Sequence, residues 1–140
     1  MATIFTRIID GEFPGRFVWR DETCVAFLSI NPLRPGHTLV VPRVEVDHWV
    51  DLDSDTNAHL MLVGHEIGRA QMDAFSPTRI GLIIAGLEVP HVHLHIVPIE
   101  AEQNLNFANA DPSPDPDALD DAAARIRSAL RARGTAGVSD

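Results

Sequence analysis

Residues 91–97 read His91-Val92-His93-Leu94-His95-Ile96-Val97, a histidine at every second position with aliphatic residues between and after. A period of two belongs to a β-strand, where successive side chains point to opposite faces. Such a strand sets three imidazoles on one face and Val92, Leu94 and Ile96 on the other. A rise of ~3.3 Å per residue starts same-face neighbours ~7 Å apart at the backbone. That spacing lets the rings share one small anionic group or one metal ion.

The rest of the chain supplies a sheet around this strand. Ile4, Phe5, Ile8 and Ile9 fall at helical spacing before Asp10-Gly11, predicting a short N-terminal helix. Phe17–Trp19 and Thr23–Leu28 read as two strands of a hairpin joined through Arg20-Asp21-Glu22. Asn31-Pro32-Leu33-Arg34-Pro35-Gly36 is a loop, followed by a strand over His37–Pro42. Asp53 or Ser54 caps a helix running to about Phe75, with Leu60, Val63, Ile67, Ala70 and Ala74 on its inner face. Residues 79–85 are apolar enough to form a central strand, and residues 91–98 form the last one. After the extended Asp111–Pro116 connector, a helix from about Asp117 to Ala132 carries Leu119, Ala122, Ala123, Ile126 and Leu130 as its inner stripe. The fold class is α+β: an antiparallel sheet of about five strands, a long helix on one side, and N- and C-terminal helices.

With 140 residues, the chain has the length of one domain. The net charge of −9, from 11 basic and 20 acidic residues, argues against nucleic acid or an anionic membrane as a partner. No apolar run reaches the ~20 residues of a membrane span, and the N-terminus lacks the pattern of a signal peptide. A cytoplasmic location is the expectation. The single cysteine, Cys24, lies in an apolar stretch, reads as core and excludes a multi-cysteine zinc site.

Three chemistries suit the histidine row. The rings could be structural, each satisfied by a buried carbonyl or carboxylate. They could hold zinc or iron, with Glu88, Glu100 or Glu45 arriving through space. They could also act at phosphorus: a neutral imidazole is a nucleophile, a phosphorylated imidazole is a good leaving group, and neighbouring imidazoles can donate a proton or fix a tautomer. The third chemistry needs no metal and is the preferred reading.

Residues 91–97, with Pro98 after them, resemble the signature of the histidine-triad (HIT) superfamily, in which histidines alternate with apolar residues. Val25–Pro32 and Pro35-Gly36-His37-Thr38-Leu39-Val40-Val41-Pro42 extend the likeness upstream, and Asn106-Phe107 downstream. The resemblance implies a HIT-like fold and a HIT domain over residues 1–108, with 109–140 completing the same single domain. It implies a nucleotide-binding hydrolase or nucleotidyl transferase that attacks the α-phosphate of a nucleotide conjugate. By position His93 is the nucleophile, His95 contacts the phosphate and leaving-group side, and His91 lies in the supporting network. His37 stands behind the row, and Phe27, Ser29 and Ile30 flank the base and ribose. No cofactor and no metal are implied, and a homodimer is expected through the long helix and the strand near 79–85. The alternatives are a nucleotide-binding protein with little turnover or a histidine metal site.

Departures from the family pattern mark this chain. Glu45 stands where Hint-like members carry a fourth histidine, which Fhit-like members also lack, so the branch is left open. His48 follows three residues later. Ser29 replaces the usual Asp or Asn near the ribose. Gly86-Leu87-Glu88-Val89-Pro90 lacks the usual Gln-Ser/Thr pair before the triad and puts Glu88 near the phosphate. His59 and His65 match no family site and read as a solvated helix face, and Trp19 and Trp49 as packing or interface residues rather than base-stacking platforms.

Overall fold

The computed structural model describes residues 1–139. Helix α1 (Ile4–Ile9) starts at Thr3, whose hydroxyl accepts the Thr6 N–H. Strands β1 (Phe17–Arg20), β2 (Cys24–Leu28), β3 (Thr38–Pro42), β4 (Arg79–Ile83) and β5 (Leu94–Ile99) follow. They form one antiparallel sheet in the order β1-β2-β3-β5-β4. Asp53 caps the long helix α2 (Ser54–Phe75), and Asp115 caps α3 (Pro116–Ala132) with Pro116 at its start.

The sheet has two unlike faces. On one, Cys24, Ala26, Val40, Val92, Leu94 and Ile96 pack beneath α2 and α3 in the main core, with Leu60, Val63 and Ile67 from α2 and Ala122, Ala123, Ile126 and Leu130 from α3. On the other, Phe17, Val25, Phe27, Leu39 and Val41 cluster with Phe5 of α1. The alternation along residues 91–97 carries its apolar members into the first face and its imidazoles towards the second.

Two strand expectations change. The segment 79–85 is not central: β4 stops at Ile83 and lies at the sheet edge, paired only with β5. Its apolar character comes from cover on its two faces, since Ile80 packs on Gly68 of α2 and Gly81 lies under Leu105. The last strand begins at Leu94 rather than His91. Before that point the backbone leaves the ladder, with His91 N–H donating to Val89 O at 2.8 Å and Val92 N–H to Val46 O at 2.8 Å.

Two close approaches fix the frame. Gly36 has φ +90°, and a Cβ there would sit 2.5 Å from the Phe75 ring, so the turn into β3 admits only glycine. Beside it, buried Gln71 of α2 donates its amide to Gly36 O and Ile96 O, each at 2.9 Å. At the other edge the C-terminal tail covers β1: Arg20 N–H donates to Gly137 O at 2.8 Å and Ser139 N–H to Val18 O at 3.1 Å. Among the described residues no helix is long and apolar enough to cross a membrane.

Candidate active site

A cavity of about 920 Å³ opens on the α1 face of the sheet. His93 and His95 stand in its wall together with Phe27, Ser29, Ile30 and Glu88. His91 and His37 do not reach it; they lie behind, 0% and 2% exposed. The residues selected from sequence therefore divide into a lining set and a supporting pair.

Hydrogen-bond directions fix which ring nitrogens carry protons. The Leu33 N–H donates to His37 Nδ1 at 3.0 Å, so a neutral His37 carries its proton on Nε2. That Nε2 is 2.9 Å from His95 Nδ1, which must accept. A neutral His95 thus bears its proton on Nε2. In His93 the arrangement is reversed. Its Nδ1 lies 2.7 Å from the His91 carbonyl oxygen, which can only accept, so Nδ1 is protonated and Nε2 keeps its lone pair. Gln71 Oε1 is the only buried side-chain polar atom without a partner among the described residues, so neither free Nε2 is sealed off from the cavity. One lone pair and one N–H are presented side by side, on rings whose centroids are 4.8 Å apart.

Electrostatics keep these rings neutral. Burial, helped by His95 and His93 nearby, pushes His37 down to about 3. Burial and His93 push His95 down to about 4. His93 also lies below the ordinary histidine value through burial, against the opposing pull of the His91 carbonyl and the Glu88 charge. Burial lowers His91 too, against the Pro42 carbonyl and Glu45.

Several contributors are not singled out as site residues by the sequence, although Phe107 lies within the family likeness. Phe5 sets its ring edge-on to His93 with centroids 4.8 Å apart, and Phe107 does the same to His95 at 4.9 Å. Arg16 and Asp120 pair at 2.7 Å and line the same cavity, bringing α3 to its wall. Thr3 Oγ1 lies 2.7 Å from His91 Nδ1, and Thr3 N–H donates to Glu45 Oε1 at 2.7 Å. Of these two only Glu45 carries a sequence signal, standing where a histidine is usual in Hint-like members; it bonds the N-terminal backbone. His48 is exposed and His65 lies on the solvated side of α2.

His59 differs from its expected role. It lies 2.7 Å from Asp21 Oδ2 and ties α2 to the β1–β2 turn. Asp21 also accepts the Trp19 indole N–H and the backbone N–H groups of Thr23 and Cys24, each at 2.8 Å. Partial burial works against its charge, but these donors hold the carboxyl at about 2. Cys24 is buried beside it, and burial pushes its thiol up.

A match to the HIT domain covers residues 10–102. This chain belongs to the HIT family. The fold matches a zinc-bound histidine triad family protein from Mycobacterium smegmatis with a TM-score of 0.82, 28% identity and 96% of each chain covered. A hypothetical histidine triad nucleotide-binding protein from Sulfolobus tokodaii matches with a TM-score of 0.81, 27% identity and 91% of each chain. A HIT family hydrolase from Legionella pneumophila matches with a TM-score of 0.60 and 28% identity, over 69% of this chain and 91% of that one. A metal on the histidine row of this HIT protein fits poorly: both nitrogens of His91 already have protein partners, and Nδ1 of His93 and of His95 face a carbonyl and His37. Asp21, Cys24 and His59 are the other metal-ligand types brought together among the described residues. Their carboxylate already has four donors.

Proposed function

We propose that this HIT protein hydrolyses or transfers nucleotides by attack of His93 Nε2 on the α-phosphorus of a nucleotide conjugate. The observation that carries the proposal is the paired state of the two lining rings, a lone pair on His93 beside an N–H on His95. In the first step the Nε2–P bond forms as the bond from phosphorus to the leaving group breaks, giving a nucleotidyl-histidine. His95 Nε2–H hydrogen-bonds the charge that develops on the phosphoryl or bridging atom. As a neutral imidazole it serves as a donor rather than as a strong acid. Water then attacks phosphorus and displaces His93, and the nucleoside monophosphate leaves. A phosphosulfate or a dinucleoside polyphosphate satisfies this scheme with its leaving group departing as an anion, and a phosphoramidate satisfies it when its nitrogen takes a proton from solvent and departs as the amine.

The apolar wall supports a nucleoside. Ile4, Phe5, Ile8, Phe27 and Ile30 line the cavity, and the Ser29 hydroxyl in the same wall is our candidate for a ribose contact. Homologues named for nucleotide binding and for hydrolysis agree with this reading. We further propose a homodimer through the open edge of β4, where Leu82 is 41% exposed on the strand and Leu62 is 57% exposed on α2.

The test is release of nucleoside monophosphate from a panel of the three conjugate types. Wild type releases it, and His93→Ala loses about 10³-fold or more while keeping its fold. Turnover in the variant at the wild-type rate contradicts the mechanism. Binding of a nucleotide by wild type without release over hours favours a binding protein, with Glu88 and the short 86–90 loop as the reason.

A further inference from the structure

We infer that Thr3, the residue that starts the N-terminal helix, is a positioning residue for the nucleophile, acting through His91. The inference rests on His93 being that nucleophile.

Four contacts of 2.7 Å make one continuous path. Glu45 Oε1 accepts the Thr3 N–H. Thr3 Oγ1 meets His91 Nδ1. His91 Nε2 meets the Pro42 carbonyl oxygen at the end of β3. The His91 carbonyl oxygen meets His93 Nδ1. A carbonyl only accepts, so His91 Nε2 carries the ring proton and Nδ1 carries a lone pair. The Thr3 hydroxyl must then donate to it. That hydroxyl also accepts the Thr6 N–H at 3.2 Å, so one group serves as helix cap through a lone pair and as donor to His91 through its single proton. The result pins His91 at both nitrogens, and with it the carbonyl that decides which nitrogen of His93 keeps a lone pair. His91 precedes β5 and lies outside the ladder, where its own backbone N–H reaches only Val89 O, so its two side-chain contacts add to its hold on β3 and the N-terminus. The same anchor keeps Phe5, two residues along, edge-on to both His91 and His93.

A capping role alone would make any good N-cap equivalent, and this separates the two explanations. Thr3→Asp caps as well as threonine does, but an ionised carboxylate cannot donate to His91 Nδ1. It forces His91 to take up a second proton. Thr3→Val removes the donor outright, and Thr3→Ser keeps it.

The experiment pairs imidazole ¹⁵N spectra of the nucleotide-free protein with turnover of the same variants. Wild-type His93 is expected as a single Nδ1–H tautomer and His91 as a single Nε2–H tautomer. Thr3→Val converts His93 to a mixture and lowers kcat roughly 10- to 100-fold, with KM little changed, and Thr3→Ser recovers the loss. Thr3→Asp turns His91 into an imidazolium and lowers kcat likewise, while melting within a few degrees of wild type. Wild-type spectra and kcat in both Thr3→Val and Thr3→Asp would overturn the inference and leave Thr3 a helix cap. If wild type turned over no conjugate, the proposed reaction would fail, while the spectra would still decide whether Thr3 sets the ring states.

Discussion

His37 and His95 meet nitrogen to nitrogen at 2.9 Å without either becoming charged, because burial makes protonation of each unfavourable. This has a consequence for stability. In an unfolded chain His37 titrates near 6.5, whereas in the folded protein it titrates near 3. Between those values the unfolded state binds the extra proton, so stability is full above the unfolded value and falls as pH drops towards the folded one. One such group contributes a slope of about 1.4 kcal/mol per pH unit inside that window. Urea unfolding between pH 7.5 and 4.5 measures it, and His37→Asn is expected to remove about one group's share. An unchanged slope in that variant means that His37 is not held neutral by burial. Activity follows the same logic. The acid limb of kcat/KM, which reports loss of the His93 lone pair, is expected below the ordinary histidine range because His93 is also depressed. An acid limb at or above 6.5 would contradict a buried, neutral nucleophile.

The elements show why some of this was readable and some was not. Helices α2 and α3 announce themselves through caps and inner stripes; the buried residues of α3 match that spacing residue for residue, whereas α2 buries Leu60, Val63, Ile67 and Ala70, adds Gly64, Gly68 and Gln71, and leaves Ala74 half-buried. Whether a strand is central or at an edge depends on its neighbours, which no local pattern records; the apolar run of β4 reads as central yet lies at the edge for that reason. The start of β5 at Leu94 is hidden similarly, since alternation sets the facing of side chains but not the backbone partners. The turn before β3 was legible as Pro-Gly, yet its tightness depends on Phe75, which comes from α2. Gly36→Ala would force a left-handed φ on a residue with a Cβ and drive that atom into the ring. A loss of about 2 kcal/mol or more is expected, read as a lower denaturation midpoint. A change within a few tenths of a kcal/mol would show that the turn can relax.

At the scale of the molecule, α3 and the tail after it are as much part of the structure as the triad strand. Ala122, Ala123, Ile126 and Leu130 complete the core under the sheet, and Asp120 reaches the cavity wall. Removing residues 109–140 is therefore expected to yield insoluble or unfolded chain, checked by circular dichroism; a folded truncated protein would make 1–108 an independent unit. The open edge of β4 predicts a particle of twice the chain's mass in sedimentation, and a monomer at micromolar concentration would contradict the proposed dimer. The histidine row was legible because its chemistry is local in sequence. Thr3 was not, because 88 residues separate it from His91 and a threonine at a helix start has an ordinary explanation. Arg16 and Asp120, 104 residues apart, were hidden for the same reason.

The most direct test of the account is to catch the covalent intermediate. Wild type and His95→Asn would be mixed with a nucleoside phosphoramidate, quenched under alkaline denaturing conditions and mapped by mass spectrometry. The account predicts a nucleoside monophosphate adduct on the peptide carrying residues 91–97, placed on His93 and absent from His93→Ala. Steady turnover with no adduct, or an adduct on a different residue, would contradict it.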